Sequence, residues 1–282
     1  MKNRLTQKLK KIVHYLVLLF FTYIFIFPLF FMIVSSLKGD EMQIIKDMSS
    51  LKAFIPYGEI NFQNYIDVFE RLDIARFLFN SVFITGVTIS IGVIFNSMLA
   101  FALARMEFRF KKIILFAILA LIIVPIESIL IPMLLIVNKM DIINTYTVQI
   151  IPFVADAFSI FLFYQSFLDL PKALDEAAIV DGASYFKIYW KVALPLSKPV
   201  IVTALILNGL ARWGDLIWPL MVTRGETYRP LTVAMQQFFT LRPIMWGDVF
   251  AFSVIITVPV LIMYLLFQKQ FKESVASTGV KG

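Results

Sequence analysis

Four ionisable residues stand inside strongly apolar stretches of this sequence: Glu127, Asp156, Arg212 and Asp215. A charge near the centre of a bilayer costs about 2.5–3.5 kcal/mol on insertion scales, so such groups face a protein interior or water and often mark a path for solutes or ions. Arg212 and Asp215, three apart on one helix face, also read as a structural ion pair. Asp156 has no partner in its own stretch. Around these charges lie small and polar residues in register. Ser81, Thr85, Thr88, Gly92 and Asn96 follow one another at spacings of 4, 3, 4 and 4, so they share one helix face. Ser159, Asn208, Ser253 and Thr257 occupy later apolar stretches. Such residues either let helices approach closely and hydrogen-bond, or line a wet path for a polar solute. The Ser/Thr/Gly stripe alone favours packing; the ionisable residues move the balance toward a path.

Other chemistries find few residues to use. The chain has no cysteine and one histidine, His14, which removes thiolate metal sites, cysteine nucleophiles and paired imidazoles. No GxxxxGK[ST] run is present, so there is no Walker A phosphate site. The chain is therefore expected not to be an enzyme, and to hold no metal or cofactor of its own. A lipid-modifying enzyme would need catalytic His, Asp, Glu or Cys clustered at one interface.

The elements that position these residues follow from composition. Of 282 residues, 60% are hydrophobic and 16% charged, and the mean hydropathy is +0.83. Soluble domains run about 45–50% apolar and 25% charged. A polytopic, all-α membrane protein is the class that remains. Six stretches are long enough to span a bilayer, at 12–36, 77–104, 113–137, 144–168, 196–219 and 248–268. They form a single membrane domain over 1–282. Sixteen of the 26 basic residues fall on the side holding both termini and nine on the other, which places both termini in the cytoplasm. The net charge of +7 thus reads as membrane orientation rather than nucleic-acid binding. Trp213, Trp218 and Trp246 read as interfacial anchors.

The inner loop 169–199, DLPKALDEAAIVDGASYFKIYWKVALPLSKP, is long and unusual. Pro171 suits the first turn of a helix over 172–180. Gly182 permits a sharp bend, and a second amphipathic piece covers 183–193. Helices that rest on lipid are usually basic. Here the first helix is acidic and its small residues suit docking into a protein groove.

Glu176-Ala177-Ala178, three residues, Gly182, nine residues, Val192, one residue, Leu194-Pro195 resembles the EAA loop of ATP-binding-cassette (ABC) importer permeases, with Val192 in place of isoleucine. NFQNYIDVF (61–69), NSVFIT (80–85), AFALARMEFRFKK (100–112), LNGLARWGDLIWPL (207–220) and TGVKG (278–282) resemble carbohydrate permeases of the maltose-transporter type. The resemblance implies a six-span, type I importer permease in a prokaryotic cell membrane. It implies a second, related permease subunit, two ATPase subunits that bind ATP and Mg, and an extracytoplasmic solute-binding protein delivering a di- or oligosaccharide. It assigns ATPase docking to Glu176, Ala177, Ala178, Asp181, Gly182, Leu194 and Pro195. The expected pathway comprises Thr85, Thr88, Asn96, Asp156, Ser159, Asn208, Arg212, Asp215, Ser253 and Thr257. The outer loop 222–247 is expected to reach toward the binding protein, and the tail 271–282 to lie against the ATPases. Trp213-Gly214-Asp215-Leu216 departs from the family's usual Trp-Asn-Asp-Phe. Two alternatives stay open: another polar cargo such as glycerol-phosphate, or an ion-coupled secondary transporter using Glu127 or Asp156.

Overall fold

The computed structural model describes residues 2–240 and 243–279, all-helical with no strand among them beyond one isolated bridge, Lys38 to Ile60. Residues 241 and 242 of the outer loop, and the last three positions of the tail, lie outside the described residues. In chain order the helices are α1 (Lys2–Ser36), α2 (Glu41–Asp47), α3 (Gln63–Arg71), α4 (Ile74–Arg105), α5 (Lys111–Ile123), α6 (Leu130–Lys139), α7 (Tyr146–Ile150) and α8 (Ala157–Asp169). There follow α9 (Lys172–Val180), α10 (Tyr185–Ile188), α11 (Leu194–Leu196), α12 (Lys198–Trp213), α13 (Ile217–Val222), α14 (Leu231–Thr240) and α15 (Trp246–Gly279).

Among the described residues three helices are long and apolar enough to cross a membrane, within α1, α4 and α15. They contain the expected first, second and sixth spans. The other three expected spans are broken rather than straight. The stretch 113–137 bends by 103° between α5 and residue 126. Pro125 lacks an amide hydrogen and forces Val124 into an extended conformation, so the helix stops there. The stretch 144–168 bends by 41° where Asp156 adopts an extended conformation and caps α8. The expected span 196–219 is instead α12, which ends at Trp213 before Gly214, followed by the separate α13. At 1.5 Å per residue α12 is about 24 Å long, shorter than a hydrocarbon core of about 30 Å. The bent pair that holds α12 is Tyr185–Leu196 with Lys198–Trp213, broken by 78°, and counting each of the three bent pairs as one span gives up to six among the described residues.

The chain divides into two compact units, Met1–Ile74 with Met235–Pro259, and Ala75–Ala234 with Val260–Gly282. In the first, Phe54 packs on Phe27 and Phe31 of α1, and Phe31 meets Phe250 edge-on. Glu41 of α2 accepts the amide hydrogens of Trp246 and Gly247 at the start of α15, supplying acceptors for otherwise orphaned donors. In the second, a core of Phe101 and Leu103 (α4), Phe163 and Phe167 (α8), Ile188 and Tyr189, and Ala204 (α12) is fully packed. That core fixes the inner loop against α4 and α8.

Candidate functional site

The second unit gathers five of the expected pathway residues into one polar seam. Asn96 donates to the Val154 carbonyl at 3.0 Å and accepts from the Asp156 amide at 3.1 Å. The Asp156 carboxylate accepts from the Ser159 amide at 2.7 Å, so it is the N-cap of α8. Asn208 of α12 donates to the Ser159 hydroxyl at 2.7 Å. Buried Thr88 sits beside them, its hydroxyl unpartnered. Gly92 permits this close approach: a Cβ there would come within 3.1 Å of the Val154 carbonyl, a tight contact. The void among these residues is about 10 Å³, the threshold for a single water and far too small for a solute. The seam therefore joins α4, α8 and α12 as a closed contact.

A second group opens beside it. Arg212 and Asp215 pair at 3.0 Å, and the guanidinium lies 3.9 Å from the Phe153 ring centroid, a cation–π contact. With Glu127, Leu130 and Trp218 they border an open groove of about 310 Å³. Glu127 is exposed on the short helical turn after the Pro125 break. Trp218 is not an interfacial anchor: its ring is buried and its indole donates to the Val148 carbonyl at 2.9 Å.

The remaining expected pathway residues are placed differently. Thr85 is half-buried on α4. Ser253 and Thr257 belong to the first unit, and each hydroxyl donates to the carbonyl four residues before it, Val249 and Ser253. Their hydroxyls are thus occupied within their own helix.

The inner loop forms the two-part structure expected of it. α9 covers 172–180, and Gly182 has φ +75°, the left-handed region where glycine carries no Cβ penalty. The Ala183 amide donates to the Ala178 carbonyl and the Gly182 amide to the Ile179 carbonyl, a Schellman ending. Beyond it come α10, a wider π-helical turn over Tyr189–Ala193, and α11. The expected docking residues divide between two faces. Glu176, Ala177, Asp181, Gly182 and Pro195 are exposed, whereas Ala178 and Leu194 pack against the chain's own core. Those two are half-buried, so they support the loop from within while leaving part of their surface outside. Leu174, Ile179 and Val180, the last 87% exposed, give α9 an outward apolar ridge beside Glu176.

Several residues escaped the sequence reading. Asn80 donates to the Thr227 and Arg229 carbonyls and accepts from the Tyr146 hydroxyl, holding the segment before α14 against α4. Gln149 donates to the Tyr228 carbonyl, and Ser81 accepts from the Leu231 amide. Arg105 counted only toward orientation, yet it contacts the inner loop directly. Asn80 lies off the face of the Ser81 stripe, and its place at the head of NSVFIT (80–85) was the signal that included it.

Comparison with known proteins defines the class. Residues 92–272 match the model of the family described as binding-protein-dependent transport system inner membrane component, and the chain belongs to that family. It is a multi-pass plasma-membrane transport subunit rather than an enzyme. Among relatives, it is 30% identical to the arabinooligosaccharides transport system permease protein AraQ of Halalkalibacterium halodurans, over 93% of this chain and 94% of that one. It is 30% identical to the trehalose/maltose transport system permease protein MalG of Thermococcus litoralis, over 98% and 99% of the two chains. A chain from the crystal structure of a bacterial ABC transporter importing the acidic polysaccharide alginate shares the fold, with TM-score 0.81, 24% identity and coverage of 94% and 97%.

Proposed function

We propose that this chain is one of two permease subunits of an ATP-driven importer for a di- or oligosaccharide. The observation that carries the reading is the outward ridge of α9, with Glu176 and Ala177 exposed on a helix closed by the Gly182 turn. It offers a bent, acidic, small-faced hook to a groove on an ATPase. The likeness of the whole chain to permeases named for arabinooligosaccharides and for trehalose/maltose supports a saccharide as cargo.

In this reading 1–282 is one permease domain with both termini cytoplasmic. Two ATPase subunits beneath it bind ATP and Mg, and an extracytoplasmic binding protein presents the sugar to the outer loops. A hydrophilic sugar cannot cross hydrocarbon unaided, so the pathway opens to one side at a time. The seam of Thr88, Asn96, Asp156, Ser159 and Asn208 is the closed contact that must part. Polar groups suit that task. Each protein–protein hydrogen bond lost on opening can be replaced by one to water or to a sugar hydroxyl, so the net cost per bond is only about 0.5–1.5 kcal/mol. The open groove bordered by Arg212, Asp215 and Glu127 supplies charged hydrogen-bonding groups of the kind that orient sugar hydroxyls.

The test is purification from the native membrane with whatever subunits accompany the chain, then uptake by reconstituted vesicles. ATP-dependent uptake of an oligosaccharide, stimulated by binding protein, is expected. Uptake that follows an ion gradient without ATP would replace this reading with a secondary transporter. ATP-driven uptake of glycerol-phosphate but no saccharide would keep the machine and change its cargo.

A further inference from the structure

The docking helix α9 is joined to α8 by only two extended residues. Leu170 has φ −71° and ψ 136°, and Pro171 has φ −59° and ψ 129°. Neither continues a helix, and proline brings no amide hydrogen. A joint of this kind lets a helix swing. If α9 turned freely about it, a push from below would be spent in the joint and would not reach the seam on α4.

Arg105, the last residue of α4, spans this joint. Its side chain is 3% exposed, and its Nη2 donates to the Leu170 carbonyl at 2.7 Å. Its Nε lies 3.0 Å from Asp175 Oδ2, one turn into α9. The Nε contact is a charge contact out of line for a hydrogen bond, so the aligned bond is the one to Leu170. One planar guanidinium thus holds the joint and the helix beyond it together, which the point charge of lysine cannot do in the same way. The inner loop meets α4 again where the Ser97 hydroxyl lies 2.8 Å from the Tyr189 hydroxyl and Phe101 packs on the Tyr189 ring. Asn96 stands nine residues before Arg105, about 14 Å along the same helix at 1.5 Å per residue.

We propose that Arg105 is the positioning residue that locks α9 to the inner end of α4, so that displacement of the docking helix moves α4 and parts the seam at Asn96. It does this by fixing the α8–α9 joint through Leu170 and the helix through Asp175. The inference rests on the reading of α9 as the ATPase-docking helix.

The test uses the complete complex, with Arg105→Gln, Asp175→Asn and the double variant, and reads substrate carried per ATP hydrolysed beside ATPase co-purification. Each single variant is expected to co-purify with the ATPase and keep basal hydrolysis, while transport per ATP falls about tenfold. The double variant should be no worse than either single one. Arg105→Lys should recover only part of the loss. Wild-type transport per ATP in Arg105→Gln, or single effects that simply multiply in the double variant, overturns the proposal. Loss of assembly in Asp175→Asn, whose side chain is partly exposed, also overturns it, because the pair would then be structural. Glu176→Lys separates the two readings. If it abolishes ATPase capture while Arg105→Gln is silent, the docking reading stands and this inference falls. If the wild-type chain captures no ATPase, both fall.

Discussion

Lys38 Nζ lies 2.8 Å from Asp47 Oδ2 with the lysine side chain wholly out of solvent. The same ammonium donates to the Lys52 carbonyl at 2.9 Å, and the Tyr57 hydroxyl donates to the other Asp47 oxygen at 2.6 Å. One buried cation therefore organises the segment from α2 to Ile60. Lys38→Met removes the cation and leaves Asp47 shut away without it. Breaking a buried pair costs about 3–5 kcal/mol, because it strands a charge that is shut off from water. Faster protease cleavage between 48 and 58, with the rest of the chain still membrane-inserted, is the expected result.

The same cluster sets a pH dependence. Burial works to raise the Asp47 carboxyl, but the hydrogen bonds from Lys38 and Tyr57 and the lysine charge outweigh it, leaving it below its ordinary value. A carboxyl lowered in the folded state contributes stability that is complete above the unfolded value of about 3.9 and is lost as pH falls through the folded one. Protease resistance of the segment should hold from pH 7 to about 4 and decline below that. Asp47→Asn should remove this dependence; an unchanged acid profile in that variant would assign it to another group.

Two substitutions probe the proposed docking role of α9. A Cβ at Gly182 meets nothing within 4 Å, so Gly182→Asp is penalised only through its positive φ, by about 1 kcal/mol. Glu176 is exposed, so Glu176→Lys should shift stability by no more than about 0.5 kcal/mol. Both variants should insert normally and lose most ATP-driven transport, read as vesicle uptake against membrane protein content. Normal uptake with normal ATPase activity in both would remove α9 from the docking site.

Asn96→Leu leaves the Val154 carbonyl and the Asp156 amide unpaired inside the seam, at about 1–3 kcal/mol each. A lowered thermal midpoint in detergent should report it. Asp156→Asn differs, because asparagine is as good an N-cap as aspartate and removes only the charge. Transport should survive that change. Its complete loss, together with loss of any response to an ion gradient, would favour the ion-coupled alternative.

The helix of the inner loop was legible because its signals are local. Pro171 opens α9 and Gly182 closes it, and both act within a few residues of themselves. The Ser81–Asn96 stripe was equally readable from the helical period. The breaks at Pro125 and Asp156 were written in the sequence too, but apolar run length, the signal used to draw spans, does not register a change of direction. A run of 25 apolar residues has the same hydropathy whether straight or bent by 103°.

What sequence alone determined was the membrane-embedded, all-α class, the stripe, the bent hook and the family that carries it, since each depends on composition or on neighbours close in the chain. Only the tertiary structure decided which residues meet. It set Asn96 against Asp156 sixty residues away, Arg105 against Asp175, and Lys38 against Asp47 in a dry pocket. It also turned Ala178 inward beside the outward Ala177. The physical reason is that a polar side chain withdrawn from water must find a partner, and which partner is within reach depends on how distant segments pack.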